Sequence, residues 1–232
     1  MASSSGKKSR RQSSNNPIEY GFKDVKPLNY IQAEYLDAIK SNDIIFGVGS
    51  AGTGKTFVAA SYAAGELFHR RIQKIILTRP NIETGRGLGF LPGELEQKYA
   101  PYLEPFDHVF QKCLGKGFYE YAIKHRDIEP KPIGFMRGAN FDNVIVLVDE
   151  AQNLTKTELK MLLSRIGKNC KIILSGDPDQ RDISNSGLED AIIRLQGVEG
   201  VETVRFLDQD IVRSKMCKNI ILAYKDQNGK NL

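Results

Sequence analysis

The residues Gly49, Ser50, Ala51, Gly52, Thr53, Gly54, Lys55 and Thr56 run in the order G-x-x-x-x-G-K-[ST]. Glycines at that spacing let the backbone wrap closely, so that its N–H groups point at phosphate oxygens. A helix beginning near Lys55 adds the positive end of its dipole at the same place. The Lys55 ammonium then reaches the β- and γ-phosphates of a nucleoside triphosphate, and the Thr56 hydroxyl coordinates Mg²⁺. A glycine-rich turn that binds nothing is the other reading of the octet. Context argues against it: an apolar run ends just before Gly49, and a helical pattern starts just after Lys55.

Two further clusters offer complementary chemistry. Asp149 and Glu150 follow the run Val144-Ile145-Val146-Leu147-Val148. Ligands of an open α/β sheet sit at the C-terminal ends of its strands, so two carboxylates delivered there meet the phosphate loop. Successive residues face different ways, which lets Asp149 hold Mg²⁺ through water while Glu150 polarises the attacking water. Two solvated acids at a strand end are the alternative for the pair alone. Gln180 closes the stretch Ser175-Gly176-Asp177-Pro178-Asp179-Gln180 after another apolar run. It is the candidate to touch the γ-phosphate or orient the water, although the stretch in isolation reads as a plain turn. A small-molecule kinase would share the loop. A kinase must avoid activating water, and Asp149 and Glu150 with Gln180 argue against that option.

These positions need a scaffold that brings several strand ends to one edge. Short apolar runs at 43–48, 74–77, 144–148 and 171–174 read as buried strands, with one more over 201–206. Helical patterns fall at 57–68, 155–166 and 214–224. Another begins after Asn29, a capping residue, and carries Ile31, Tyr35, Leu36 and Ile39 on one side. Continuous apolar strands separated by helices imply a parallel sheet covered on both faces. Residues 79–143 have a weaker pattern and two proline–glycine punctuations, and read as an insertion of helices and loops.

A chain of 232 residues accommodates one sizeable α/β domain. No run approaches the roughly 18 apolar residues that span a membrane, and the N-terminus lacks the apolar core of an export signal. Cys113, Cys170 and Cys217 are odd in number and widely spaced, and His69, His108 and His125 form no ligand pattern. Neither a disulfide framework nor a zinc site is indicated, which fits a reducing cytoplasm. Lys7, Lys8, Arg10 and Arg11 carry four of the net +5 charges in residues 1–16, a stretch without acids. The remainder, 17–232, is the folded domain and is nearly neutral, which is weak support for nucleic-acid binding by composition. The Ser-rich basic tail reads as disordered, either plainly solvated or serving as an electrostatic arm for RNA or DNA phosphates.

Together these segments resemble the PhoH family, P-loop ATPases close to the first motor domain of superfamily-one helicases. The resemblance covers residues 27–225. It includes Leu77-Thr78-Arg79-Pro80 followed by Gly89-Phe90-Leu91-Pro92-Gly93, and Met136-Arg137-Gly138. It also includes Asp149-Glu150-Ala151-Gln152-Asn153, Gly176-Asp177-x-x-Gln180 and Asp210-Ile211-Val212-Arg213. It implies a single RecA-like P-loop NTPase domain, ATP and Mg²⁺ as ligands, ATP hydrolysis, a homo-oligomeric hexameric ring and, in some members, RNA unwinding. Gln32 resembles the helicase glutamine that reads the adenine edge; a plain exposed helix residue is the alternative. Arg213 resembles an arginine that reaches a nucleotide, or is a surface charge opening the last helix. Because Arg213 lies far in sequence from the phosphate loop, the expectation is that it reaches the ATP of an adjacent subunit. Ser50 stands where many members have proline, and Ala139 where many carry a second arginine.

Overall fold

Val144–Val148 is apolar at every position and buried on both faces, and it forms an inner strand of the sheet. The computed structural model describes residues 21–80 and 95–223. Among these residues six strands, β1 (Ile44–Gly49), β2 (Lys74–Thr78), β3 (Ile128–Pro130), β4 (Val144–Val148), β5 (Lys171–Gly176) and β6 (Val201–Phe206), align in the order β3-β2-β4-β5-β1-β6. All five pairings are parallel.

Alternate residues of each strand serve opposite layers. Ile145 and Leu147 of β4 face a core shared with Ile45 and Ile173, under α1 (Tyr30–Ser41), α2 (Lys55–Phe68), α3 (Leu95–Leu114) and α4 (Lys116–Lys124). Val144, Val146 and Val148 face the other core with Phe46 and Leu174, under α5 (Lys156–Leu163) and α6 (Leu188–Leu195). The last helix, α7 (Lys215–Ala223), buries none of its residues.

The helices begin where capping chemistry favours it. Asn29 accepts from the Gln32 amide at 3.0 Å, which starts α1. Thr155 and Glu158 form a reciprocal capping box at α5. The region read as an insertion does hold two helices. It also supplies β3, a strand not expected there, which pairs with β2 from Ile75↔Ile128 to Leu77↔Pro130. Three residues ending in proline are too few for a periodic signal, and an edge strand tolerates the missing donor. Helix α6 is likewise additional to the expected elements, although Leu188, Ala191, Ile192 and Leu195 follow helical spacing. The basic tail at 1–16 and the segment 89–93 lie outside the described residues. Among the described residues no helix is long and apolar enough to cross a membrane.

The strand order carries the consequence for chemistry. Strand β5 lies between β4 and β1, so the C-terminal ends bearing Gly49, Asp149 and Asp177 adjoin. The expected parallel sheet with helices on both faces is therefore the observed fold.

Candidate active site

The phosphate loop joins β1 to α2. Gly49 has φ +134°, and a Cβ there would lie 1.9 Å from the Phe206 carbonyl oxygen, so no other residue fits against β6. Gly54 caps α2 with φ +88°. The Lys55 ammonium folds back into the loop, donating to the carbonyls of Gly49 at 2.6 Å and Ser50 at 2.8 Å and to Thr53 Oγ1 at 3.3 Å. Lys55 is only 8% exposed. Burial lowers its pKa to about 8, against the opposing pull of Asp177, Asp149 and Glu150. Ser50 turns its hydroxyl away from the cradle and donates to Asp208.

Thr56 donates to Asp149 Oδ1 at 3.0 Å. Burial, then the neighbouring Glu150, raises the proton affinity of Asp149. A hydroxyl and a carboxylate converging on one point are hard oxygen donors, and the carboxylate is short of positive charge. Both properties fit Mg²⁺, which takes few protein ligands and keeps much of its water. Thr56 and Asp149 are thus the pair that would hold it. The bound ion would draw charge from the phosphate oxygens as they become more negative.

Glu150 adopts a left-handed backbone with φ +53°, a conformation that costs of order 1–3 kcal/mol for a non-glycine residue. Its carboxylate is engaged at both oxygens. Arg79, at the end of β2, meets Oε1 at 3.1 Å, and Gln152 donates to Oε2 at 2.5 Å. Gln152 is 1% exposed and accepts from the Asp177 amide at 3.0 Å while its Nε2 lies 3.3 Å from the Gln180 carbonyl. One glutamine therefore fastens the end of β4 to the end of β5. Gln180, on the short turn Pro178–Gln180, donates its side-chain amide to Asp177 at 2.8 Å.

These groups line one cavity of about 810 Å³, within the range of roughly 300–1,000 Å³ usual for small-molecule sites. Of the candidates named from sequence, Ala51, Gly52, Gly54, Lys55, Thr56, Asp149, Glu150, Gln180 and Arg213 share it. Gly49, Ser50 and Thr53 do not line it and instead accept hydrogen bonds from Lys55 within the loop. Sequence reasoning leaves out Arg79, Gln152 and His108, which also stand at or beside this cavity. The signals in the chain are the Leu77-Thr78-Arg79-Pro80 segment and the Asp-Glu-Ala-Gln run, in which Gln152 follows the acids at short range.

Two expectations need correction. Gln32 is not a plain exposed helix residue. It is 1% exposed, donates to the Thr53 carbonyl at 2.9 Å and accepts from the Leu28 amide at 2.9 Å. Its carboxamide braces the loop through the bond to Thr53 and lies so close that a Cβ on Gly54 would be 2.5 Å from its Nε2. Arg213 is not remote from the loop of its own chain, as its distance in sequence suggests. It lies against it: a Cβ on Gly52 would be 2.9 Å from Arg213 Cδ, and the Val212 amide donates to the Gly52 carbonyl at 3.0 Å. Strand β6 pairs with β1, and this returns the following segment to the phosphate loop.

A parallel six-stranded sheet carrying this loop and the Thr56–Asp149 pair defines a RecA-like P-loop domain. A family model described as "PhoH-like protein" matches residues 24–225. Protein PhoH of Escherichia coli (strain K12) is 41% identical over 210 residues, covering 87% of this chain and 59% of that protein. The PhoH-like protein of Bacillus subtilis (strain 168) is 41% identical over 209 residues, covering 89% and 66%. The chain belongs to the PhoH family. It spans 59–66% of the length of these relatives. The large terminase of a thermophilic bacteriophage shares the fold, with a TM-score of 0.57 at 12% identity over 87% of this chain and 52% of that one.

Proposed function

We propose that the chain hydrolyses ATP in a Mg²⁺-dependent reaction and couples it to binding, unwinding or remodelling of RNA or single-stranded DNA, working in the cytoplasm as a hexameric ring. The observation that carries hydrolysis is the convergence of Lys55, Thr56, Asp149 and Glu150 on one cavity. Lys55 and the loop amides hold the β- and γ-phosphates. Glu150 takes the proton of the attacking water once one of its oxygens is free to face it. Gln180, close to Glu150 and Asp177, orients that water. Arg213, beside Gly52, stabilises charge on the γ-phosphate.

A ring is supported by α7, which follows Arg213 and leaves Met216 and Ile220 exposed. The same surface favours the second reading, an ATP-dependent switch that acts on protein partners without nucleic acid. Turnover of ATP with and without single-stranded RNA separates the two. Stimulation supports the motor, and indifference supports the switch. An Lys55→Ala protein that binds and hydrolyses ATP like the wild type would refute both. Sizing with and without a non-hydrolysable analogue tests the ring, and a monomer throughout would overturn it.

A further inference from the structure

Of the two donors on the Glu150 carboxylate, one is fixed and one is exchangeable. Gln152 is enclosed and held on three sides by Glu150, the Asp177 amide and the Gln180 carbonyl. It stays in place whatever binds outside. Arg79 and Glu150 are 37% and 33% exposed in their side chains, and ion pairs that water can reach are weak and easily displaced. Each carboxylate oxygen can accept more than one hydrogen bond, but an Oε1 that faces a guanidinium has a lone pair and part of its charge committed to that cation and is a poorer acceptor for a water proton. Arg79 therefore holds the hydrolytic group in an idle arrangement, and removing it frees Oε1.

A phosphodiester is the chemistry best suited to remove it. A guanidinium binds phosphate through two parallel N–H bonds and prefers such a partner to a singly contacted carboxylate oxygen. The segment that follows β3, the strand paired with β2, carries the groups a single strand needs. The Lys131 amide donates to the Leu77 carbonyl at 2.8 Å, which places Lys131 alongside the end of β2. The turn that follows, Ile133–Met136, carries Phe135, 66% exposed, and runs into exposed Arg137. Cations together with an uncovered aromatic ring form the platform on which single-stranded nucleic acid rests, bases stacked and backbone tracked.

We propose that Arg79 is a catch on Glu150, and that a nucleic-acid strand lying across Lys131, Phe135 and Arg137 draws the Arg79 guanidinium onto a backbone phosphate and starts hydrolysis. The inference rests on the reading of Glu150 as the group that activates water. Arg79 is a positioning residue here, because it acts through Glu150 and not on the nucleotide.

The test is steady-state ATP turnover with and without an oligouridylate RNA, for the wild type, Arg79→Ala, Arg79→Lys, Phe135→Ala and Glu150→Gln. Arg79→Ala should raise the RNA-free kcat with KM for ATP little changed. The rise is on the order of fivefold, the factor that matches an exposed ion pair near the upper end of its strength. RNA should then add nothing further. Arg79→Lys keeps a cation and should restore most of the idle state, an outcome that a merely structural role would not produce. Phe135→Ala should keep the RNA-free rate and need more RNA for half-maximal stimulation. A fall in RNA-free turnover on Arg79→Ala would make Arg79 a catalytic cation and overturn the proposal. An unchanged rate with intact stimulation would overturn it too. Glu150→Gln distinguishes the levels: if it turns over like the wild type, the water-activation reading itself has failed. If it is inactive while Arg79→Ala is unaltered, only the catch has failed.

Discussion

The carboxamide of Gln32 donates to the Thr53 carbonyl at 2.9 Å and accepts from the Leu28 amide at 2.9 Å, so α1 is stitched to the phosphate loop across 21 residues of sequence. Removing that amide leaves the buried Thr53 carbonyl without a partner, which costs about 1–3 kcal/mol, while the Leu28 amide, on an exposed residue, can turn to water. Gln32→Ala should lower stability to denaturant by that order and weaken ATP and GTP binding by the same factor. Parallel titrations of the two nucleotides check this. A selective loss of ATP affinity would show that Gln32 reads the base after all.

Lys55 gives a pH dependence with a definite sign. Burial lowers its pKa to about 8 in the free protein, and a bound polyphosphate raises it again. Between these two values binding must take up a proton, so affinity for ATP falls as pH rises above about 8. The limit is about tenfold per pH unit. Calorimetry near pH 9 in buffers of different ionisation enthalpy should report that uptake. Lys55→Ala should bind weakly with a flat profile across the window. A wild-type profile equally flat would remove Lys55 from the phosphate contacts.

The loop and the acids are legible in sequence because each is local. Gly49 to Thr56 needs only its own spacing, and Val144–Val148 announces a buried strand that ends in Asp149 and Glu150. What is not legible depends on which strands adjoin. Gln152 fastens β4 to β5, and its role exists only because those strands are neighbours. Arg213 reaches Gly52 because β6 pairs with β1, a fact that 160 residues of intervening chain conceal from any local pattern. Strand β3 escapes for a different reason: Ile128–Pro130 is too short to show a period, and its pairing with β2 is tertiary.

Asp149 and Glu150 are adjacent and should fail differently. Glu150→Gln keeps size and hydrogen bonding but cannot accept a proton, so ATP should bind and kcat should drop by roughly 10²–10⁴-fold. Asp149→Asn removes charge from the Thr56–Asp149 pair. The Mg²⁺ concentration for half-maximal turnover should rise, with activity partly recovered at high Mg²⁺. Magnesium titrations of both proteins separate the roles. The assignment is lost if the two show the same Mg²⁺ dependence.

Arg213 lies on Gly52 of its own chain, which changes what a mixture of defective proteins should do. An arginine on the γ-phosphate oxygens is worth roughly 10³–10⁵ in rate where it serves the transition state. Arg213→Ala should therefore bind ATP near normally and hydrolyse it poorly, and Lys55→Ala should lose binding. If Arg213 reached across a subunit boundary, a mixed assembly would contain interfaces pairing an intact Lys55 with an intact Arg213. Two inactive proteins would then become partly active together. With Arg213 serving its own loop, every chain in the mixture lacks one half of its own site, and mixing should return no activity. Subunit exchange must be demonstrated in the same samples, for example by energy transfer between differently labelled chains. Recovered turnover in exchanging samples would mean that the hydrolytic arrangement places Arg213 on the neighbouring nucleotide.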